Sequence, residues 1–137
     1  KYNDKILMVV PSDDRRKGTK NLGDKIKLWE DKPLPAAHFA VHKNWINTLG
    51  YLAPPFFWHW HVDTYKQKIA RKLDRCLYLP TVVFKAKKMI NDDAGKQVRT
   101  NLNINNRDNF VWTKVRGRYL QADVNLLLEK STYSDIS

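Results

Sequence analysis

Asp63-Thr64-Tyr65-Lys66-Gln67-Lys68-Ile69-Ala70-Arg71-Lys72-Leu73-Asp74, then Arg75, then Cys76-Leu77-Tyr78-Leu79-Pro80-Thr81-Val82-Val83-Phe84, sets an amphipathic helix directly before a strand. In the first part Tyr65, Ile69 and Leu73 recur every four residues as a stripe to be buried, leaving Lys66, Lys68, Arg71 and Lys72 to solvent. Asp63 stands where a helix N-cap belongs, and the spacing predicts a helix from Thr64 to about Asp74. The second part is apolar and β-branched, interrupted only by Pro80. A proline has no N–H to give a ladder, so this strand belongs at a sheet edge or carries a bulge.

Upstream, Ile6-Leu7-Met8-Val9-Val10 is a short apolar run closed by Pro11, which reads as a buried strand with Ser12-Asp13-Asp14 on the loop after it. Residues 15 to 36 are charged and punctuated by Gly18, Gly23, Pro33 and Pro35. They read as a long surface loop with at most a short strand near Ile26 to Trp29. Ala37 to Val41 is a further strand candidate. Lys43 to Leu49 puts Trp45, Ile46 and Leu49 on one helical face, with Gly50 where a left-handed cap would end the helix. Between Gly50 and Thr64, Pro54 and Pro55 forbid a helix and Phe56, Phe57, Trp58 and Trp60 crowd together. Downstream, residues 85 to 105 read as a polar loop. The longest helix is expected from Asn106 or Arg107 to about Lys130, with Val111, Val115, Tyr119, Ala122 and Leu126 on one side and Gly117 a slight weakness. The fold expected is α/β: a small mixed sheet flanked by helices, with a long C-terminal helix.

The 137 residues suit one domain, and 42% hydrophobic content with five Trp supplies a modest core. No apolar stretch approaches the roughly 20 residues a membrane helix needs, and no secretory signal pattern is present. The single cysteine, Cys76, excludes an internal disulfide and a C-x-x-C knuckle, which points to a reducing, cytoplasmic setting. Beside Arg75 and before an apolar strand, it reads as a small buried hydrophobe rather than a nucleophile. Twenty-five Lys and Arg against 14 Asp and Glu give +11, a field that attracts polyanions without selecting among them. Helix-turn-helix, zinc-finger and RNP-like signatures, P-loop, G-x-G-x-x-G and G-x-S-x-G motifs are all missing from the sequence.

Several residues carry chemistry on one reading and structure on another. Asp13 and Asp14 are adjacent carboxylates suited to a divalent cation or a sugar hydroxyl, or a solvated turn beside Arg15, Arg16 and Lys17. His59 and His61, two apart, would point the same way on an extended segment, as metal ligands or as hydrogen-bonded members of an aromatic cluster. Trp58 and Trp60 would share the opposite face, as a stacking platform for a sugar or a base or as core. Asp63 is an adequate helix cap and also a plausible general base beside His61.

The order of these pieces resembles the C-terminal, acceptor-side half of a GT-A-type glycosyltransferase, as in compact phage-encoded and bacterial glycosyltransferase-like sequences. The resemblance rests on Ile6 to Asp14, Phe39 to Tyr51, Leu52-Ala53-Pro54-Pro55-Phe56-Phe57, Val62-Asp63-Thr64-Tyr65, the basic helix ending at Arg75, and Tyr78-Leu79-Pro80-Thr81-Val82-Val83. It covers residues 5 to 84, within an acceptor-side region of 1–90, with a looser helical match after Asn106 in a 91–137 region of loop plus C-terminal helix. It implies that Asp63 is the catalytic base, that Thr64 borders the acceptor sugar with Trp58 and Trp60 as its platform, and that His59, His61, Asp13 and Asp14 make polar, sugar or metal contacts. It also implies a nucleotide-sugar donor and a divalent metal.

Two features depart from the pattern. The family's nucleotide-sugar half and its DxD motif lie before a segment like Lys1 to Pro11, so a missing N-terminal half or partner chain is expected to complete the donor site. Where relatives carry a His-containing segment near the metal, this sequence has Phe84-Lys85-Ala86-Lys87-Lys88, and a protonated lysine contacts a diphosphate but ligates no cation. The expectation is therefore sugar transfer once completed by that half, in a host-cell cytoplasm or virion if phage-encoded. The alternatives are a non-catalytic binding or structural protein of virion type that keeps the fold, and a basic module that binds polyanions unspecifically.

Overall fold

Three strands and six helices follow the chain in the computed structural model, which describes residues 3–13, 22–31, 36–85 and 93–133. In order they are β1 (Met8–Asp13), α1 (Leu22–Asp31), β2 (Ala40–Val41), α2 (Lys43–Leu49), α3 (Val62–Lys72), β3 (Cys76–Phe84), α4 (Asp93–Thr100), α5 (Leu102–Val115) and α6 (Arg118–Tyr133). The strands make one mixed sheet in the order β2-β1-β3, antiparallel between β1 and β2 and parallel between β1 and β3. A parallel neighbour needs a crossover connection, and α1, β2, α2 and α3 lie within it. The α/β expectation of a small mixed sheet flanked by helices holds.

β1 is central because it pairs with β2 on one side and β3 on the other, and its Met8, Val10 and Ser12, in line with Ile6 just before it, are closed to solvent. It starts at Met8 rather than Ile6 and continues through Pro11 to Asp13, so Asp13 ends a strand instead of lying on the loop beyond it. β2 pairs only with Met8 and Val9. Past them β1 has a strand partner on one side alone, where a residue without an N–H is tolerated. On β3 the ladder runs from Met8↔Cys76 to Pro11↔Leu79 and resumes at Ser12↔Val83, leaving Pro80, Thr81 and Val82 without partners. Pro80 thus occupies a bulge in an edge strand, as its missing N–H requires.

Asp4 fastens the sheet to its surroundings. Its Oδ1 accepts from the Ile6 N–H and from Arg75 Nη1, both at 2.8 Å, while its carbonyl accepts from Asn44 Nδ2 of α2 at 3.0 Å. The start of β1, the turn into β3 and α2 meet at this one residue.

α2 matches its expected limits. His42 caps it, Nδ1 accepting the Asn44 N–H, and Gly50 ends it at φ 79°. α3 runs from Val62 to Lys72 with Tyr65, Ile69 and Leu73 buried as the spacing requires. Its N-cap, however, is His61 and not Asp63, which lies inside the first turn with Oδ1 accepting the Thr64 N–H at 2.8 Å. Lys66 is not on a solvent face either: it is only 2% exposed. A second side of α3 is covered by the segment before β2, where Gln67 Oε1 accepts the Ala36 N–H and the Phe39 ring lies 4.2 Å from Lys66 Nζ.

Three further expectations change. Residues 22–31 form α1 and no strand forms at Ile26 to Trp29; apolar residues at 22, 26 and 29 have helical spacing, and Gly23 falls in the first turn where it breaks little. Trp29 stacks on Tyr78 with ring centroids 4.7 Å apart, so α1 lies against β3. The polar stretch before Asn105 holds α4 and the first turn of α5, started by Asn101, whose Oδ1 accepts from the Asn103 and Ile104 N–H groups. The single long C-terminal helix is two, α5 and α6, separated at Arg116 and Gly117. Because the helix breaks there, the stripe does not continue across it: Tyr119, Ala122 and Leu126 are exposed, and α6 buries Leu120, Val124, Leu127 and Ser131 instead.

Candidate functional site

The aromatic segment after α2 is a series of turns, not an extended strand, and its shape is set by α5. Asp108 of α5 is fully buried, and its carboxylate accepts three successive backbone N–H groups: Trp58 at 3.1 Å, His59 at 2.8 Å and Trp60 at 2.8 Å. Arg107 Nη1 donates to the same carboxylate at 2.9 Å and to the Phe56 carbonyl at 3.0 Å. Successive N–H groups turned to one point make a concave anion site, filled here by the protein's own side chain. Burial pushes the Asp108 carboxyl up, but the His59, Trp58 and Trp60 N–H groups and Arg107 outweigh it and hold the group below its ordinary range. The guanidinium of Arg107 lies 4.0 Å over the Trp58 ring, a cation–π contact that fastens the outer edge of the loop.

The loop then delivers His61 into a left-handed conformation at φ 68°. For a residue with a side chain this costs about 1–3 kcal/mol and persists only when its surroundings over-determine it. They do so here. The imidazole stacks on Trp112 with centroids 5.1 Å apart at 11°, and Nε2 lies 2.7 Å from Asn109 Oδ1. The His61 carbonyl accepts the Tyr65 N–H, the first bond of α3. Beneath it Phe57 is buried against Phe56, Tyr65 and Trp112.

A second carboxylate ties the loop to α6. Asp123 Oδ2 accepts from the Tyr51 hydroxyl and, at 2.7 Å, from the Tyr65 hydroxyl. Burial, then the hydrogen bond to Asp123, raises both phenols above the ordinary tyrosine range.

Between loop and α5 an open groove of about 280 Å³ is lined by Trp60, His61, Asp63, Thr64, Asn105 and Asn109. Four residues singled out from the sequence thus share one wall, and two amides from α5 supply the other. Asp63 Oδ1 is held by the Thr64 N–H, and Oδ2 has no hydrogen-bond partner among the described residues. The Trp60 indole N–H is buried without a partner among the described residues.

The remaining sequence-derived residues are elsewhere. Trp58 is 63% exposed beneath Arg107 and does not line the groove with Trp60, so the expected pair of stacked platforms is not formed. His59 is exposed, edge-on to Trp60, and does not point with His61, because the left-handed turn at His61 replaces the extended backbone such alignment needs. Asp13 pairs with Phe84 at the end of β1, and Asp14 lies outside the described residues. Among the described residues no three His, Cys, Asp or Glu side chains gather as a metal centre would need. Burial raises the Cys76 thiol despite the nearby Arg71, in keeping with an inert side chain.

Asn105, Asn109 and Asp108 were not picked out from the sequence. The signal was the asparagine-rich run from Asn101 to Asn109, which puts Asn105 and Asn109 four apart on one helical face once the stretch is recognised as helix. A wider groove of about 520 Å³ lies between α2 and α6, lined by Asn44, Asn47, Thr48, Leu126, Glu129 and Lys130. There Asn44 Nδ2 and Thr48 Oγ1 already donate to backbone carbonyls. Among the described residues no helix is long and apolar enough to cross a membrane. No family model, no curated protein and no solved structure matches this chain.

Proposed function

We propose that the chain is the acceptor-side part of a glycosyltransferase and that the groove beside α5 receives the acceptor sugar. One observation carries the reading: Asp63 and Thr64, the pair on which the family resemblance centres, line the same groove as an indole, an imidazole and two carboxamides. Flat apolar rings suit the C–H face of a sugar, and amides, imidazole and carboxylate suit its hydroxyls.

The chemistry assigned to Asp63 follows from its position. With Oδ1 occupied by the Thr64 N–H, Oδ2 accepts the proton of an acceptor hydroxyl. That hydroxyl oxygen forms a bond to the anomeric carbon of a nucleotide-activated sugar as the bond to phosphate breaks and the nucleoside diphosphate leaves. The donor site belongs to the expected N-terminal half or partner chain, and a divalent metal implied by the resemblance would supply charge stabilisation to that leaving group. The described residues offer such a metal no ligand set, so it would be held by the donor part.

The test is nuclear magnetic resonance of the chain titrated with neutral monosaccharides and disaccharides. Shifts confined to the Thr64 amide and the Asn105 and Asn109 side chains support the reading. Asp63→Asn should keep that binding and abolish transfer in the completed enzyme. Binding by wild type without transfer once a donor half is supplied would favour the non-catalytic binding protein, and no sugar binding at the groove would overturn both.

A further inference from the structure

We propose that Asn109 is the positioning residue of the groove: it holds His61 as the Nε2–H tautomer, leaving Nδ1 to accept a hydrogen bond from a hydroxyl of an uncharged sugar ring. This rests on the acceptor-groove reading and adds to it the ligand's charge class and a residue that sets it.

The orientation follows from a chain of hydrogen bonds along α5. Asn109 Nδ2 donates to Asn105 Oδ1 at 2.9 Å, one turn earlier on the same helix face. Its amide oxygen is therefore the atom facing His61, 2.7 Å from Nε2. An amide oxygen only accepts, so the hydrogen lies on Nε2 and a neutral ring carries its lone pair on Nδ1. The ring has little freedom to turn over, since it is stacked at 5.1 Å on Trp112 and touches Phe57 on the buried side. Nδ1 has no hydrogen-bond partner among the described residues. The left-handed backbone at His61, at φ 68°, is what carries the ring to Asn109 at all.

The charge class follows from the walls. Among the described residues no Lys or Arg lines the groove; Lys66, which interacts with Asp63, is buried in α3, and Lys68 lies over the Trp112 ring. Asp63 contributes a carboxylate, and the remaining polar groups are a hydroxyl, two amides and an imidazole acceptor, since the Trp60 indole N–H is buried. A phosphate or carboxylate ligand would meet a like charge and a lone pair. A neutral polyol meets an acceptor at Nδ1, an acceptor at Asp63 Oδ2 and amide groups on the opposite wall.

The experiment uses the whole chain labelled with nitrogen-15. Long-range proton–nitrogen correlation at alkaline pH, where imidazoles are neutral, reads the tautomer of His61 directly, in the absence of any ligand. Wild type should show the Nε2–H form. Asn109→Asp keeps an oxygen opposite Nε2 and should keep that tautomer, whereas Asn109→Leu removes the acceptor and should give a mixture. Titration with the methyl glycosides of glucose, galactose and mannose should then show Asn109→Leu binding weaker by about threefold to tenfold, the loss of one hydrogen bond, and weaker than Asn109→Asp, which keeps the His61 tautomer. A phosphorylated form of the same sugars should bind more weakly than the neutral one. An Nδ1–H tautomer in wild type overturns the proposal whatever the sugars do, and it is read even if a variant fails to fold. A phosphorylated sugar that binds more tightly than its neutral parent overturns the charge assignment. The Nε2–H tautomer with no sugar shifting any groove resonance overturns the acceptor-groove reading instead, so the two failures are distinct.

Discussion

The His59 backbone N–H donates to Asp108 at 2.8 Å, joining residues 49 apart in sequence. Together with the Trp58 and Trp60 N–H groups it makes the loop conformation a property of α5. The groove exists because a helix supplies the charge around which the loop turns, and because the same helix presents Asn105 and Asn109 on the adjoining face.

Asp108→Asn should therefore destabilise the chain by about 1–3 kcal/mol, since it puts an –NH₂ donor where buried donors already converge. Urea unfolding near neutral pH measures it. The acid limb gives a second readout. The folded carboxyl lies below its unfolded value of about 3.9, so its stabilisation is complete above that value and is lost as pH falls through the folded one. Wild type should lose stability below about pH 4 more steeply than Asp108→Asn. Parallel acid limbs would show that the carboxylate does not hold the loop.

Lys66 should make stability depend on alkaline pH. Burial lowers its ammonium to about 8, with Asp63 opposing. Between that value and the unfolded one near 10.4, the unfolded chain binds the extra proton, so this residue's contribution to stability rises with pH across the window. Cys76, Tyr51 and Tyr65 run the other way, since their raised values remove stability as pH climbs above their unfolded ones. The clean measurement is the difference between wild type and Lys66→Met. The variant should be more stable by about 1–3 kcal/mol near pH 7, and its advantage should shrink between about pH 8 and 10. A difference that does not change over that range would show that Lys66 is hydrated.

Two glycines should respond oppositely to alanine. An added Cβ meets nothing within 4 Å at either Gly50 or Gly117, so only the backbone decides. Gly50 has φ +79°, and Gly50→Ala should cost about 1–2 kcal/mol. Gly117→Ala, with no positive φ to oppose it, should stabilise by about 0.4–1 kcal/mol by restricting the unfolded chain. Thermal unfolding of the pair settles both signs.

Polyanion binding should be electrostatic and indifferent to sequence. Counterion release predicts a loss of about 10³ or more in affinity between 50 and 200 mM salt if six or so phosphates are contacted. Fluorescence anisotropy on two unrelated duplexes and one single strand tests this. A tenfold preference for one sequence, with nanomolar binding retained at 150 mM salt, would contradict it.

The legible parts of the fold were the ones whose signals lie within a dozen residues. The stripe Tyr65, Ile69, Leu73 gave α3 its buried face, Gly50 ended α2, and Pro80 marked an edge strand with a bulge. A left-handed cap and a missing donor are local properties that survive packing, and the α3 stripe lies within one unbroken helix. Of the candidate site, Trp60, His61, Asp63 and Thr64 were legible as a cluster of types, and the groove keeps them together.

Burial, capping and direction were not legible, because each depends on an element far along the chain. Lys66 reads as a solvent-facing lysine until Ala36 and Phe39 cover that side of α3. Asp63 reads as a cap until His61, turned left-handed against Trp112, starts the helix two residues earlier. Asp108 gives no local sign at all, since nothing within α5 reveals that three N–H groups from a loop some 50 residues away will converge on it. The sequence by itself determined β1, α2, α3 and β3 and the face that α3 must bury, while α1, α4 and the division between α5 and α6 emerge only once the packed chain is seen. Only the tertiary structure decided which polar groups meet, because a buried carboxylate or a strained histidine is stable only when distant residues supply its hydrogen bonds.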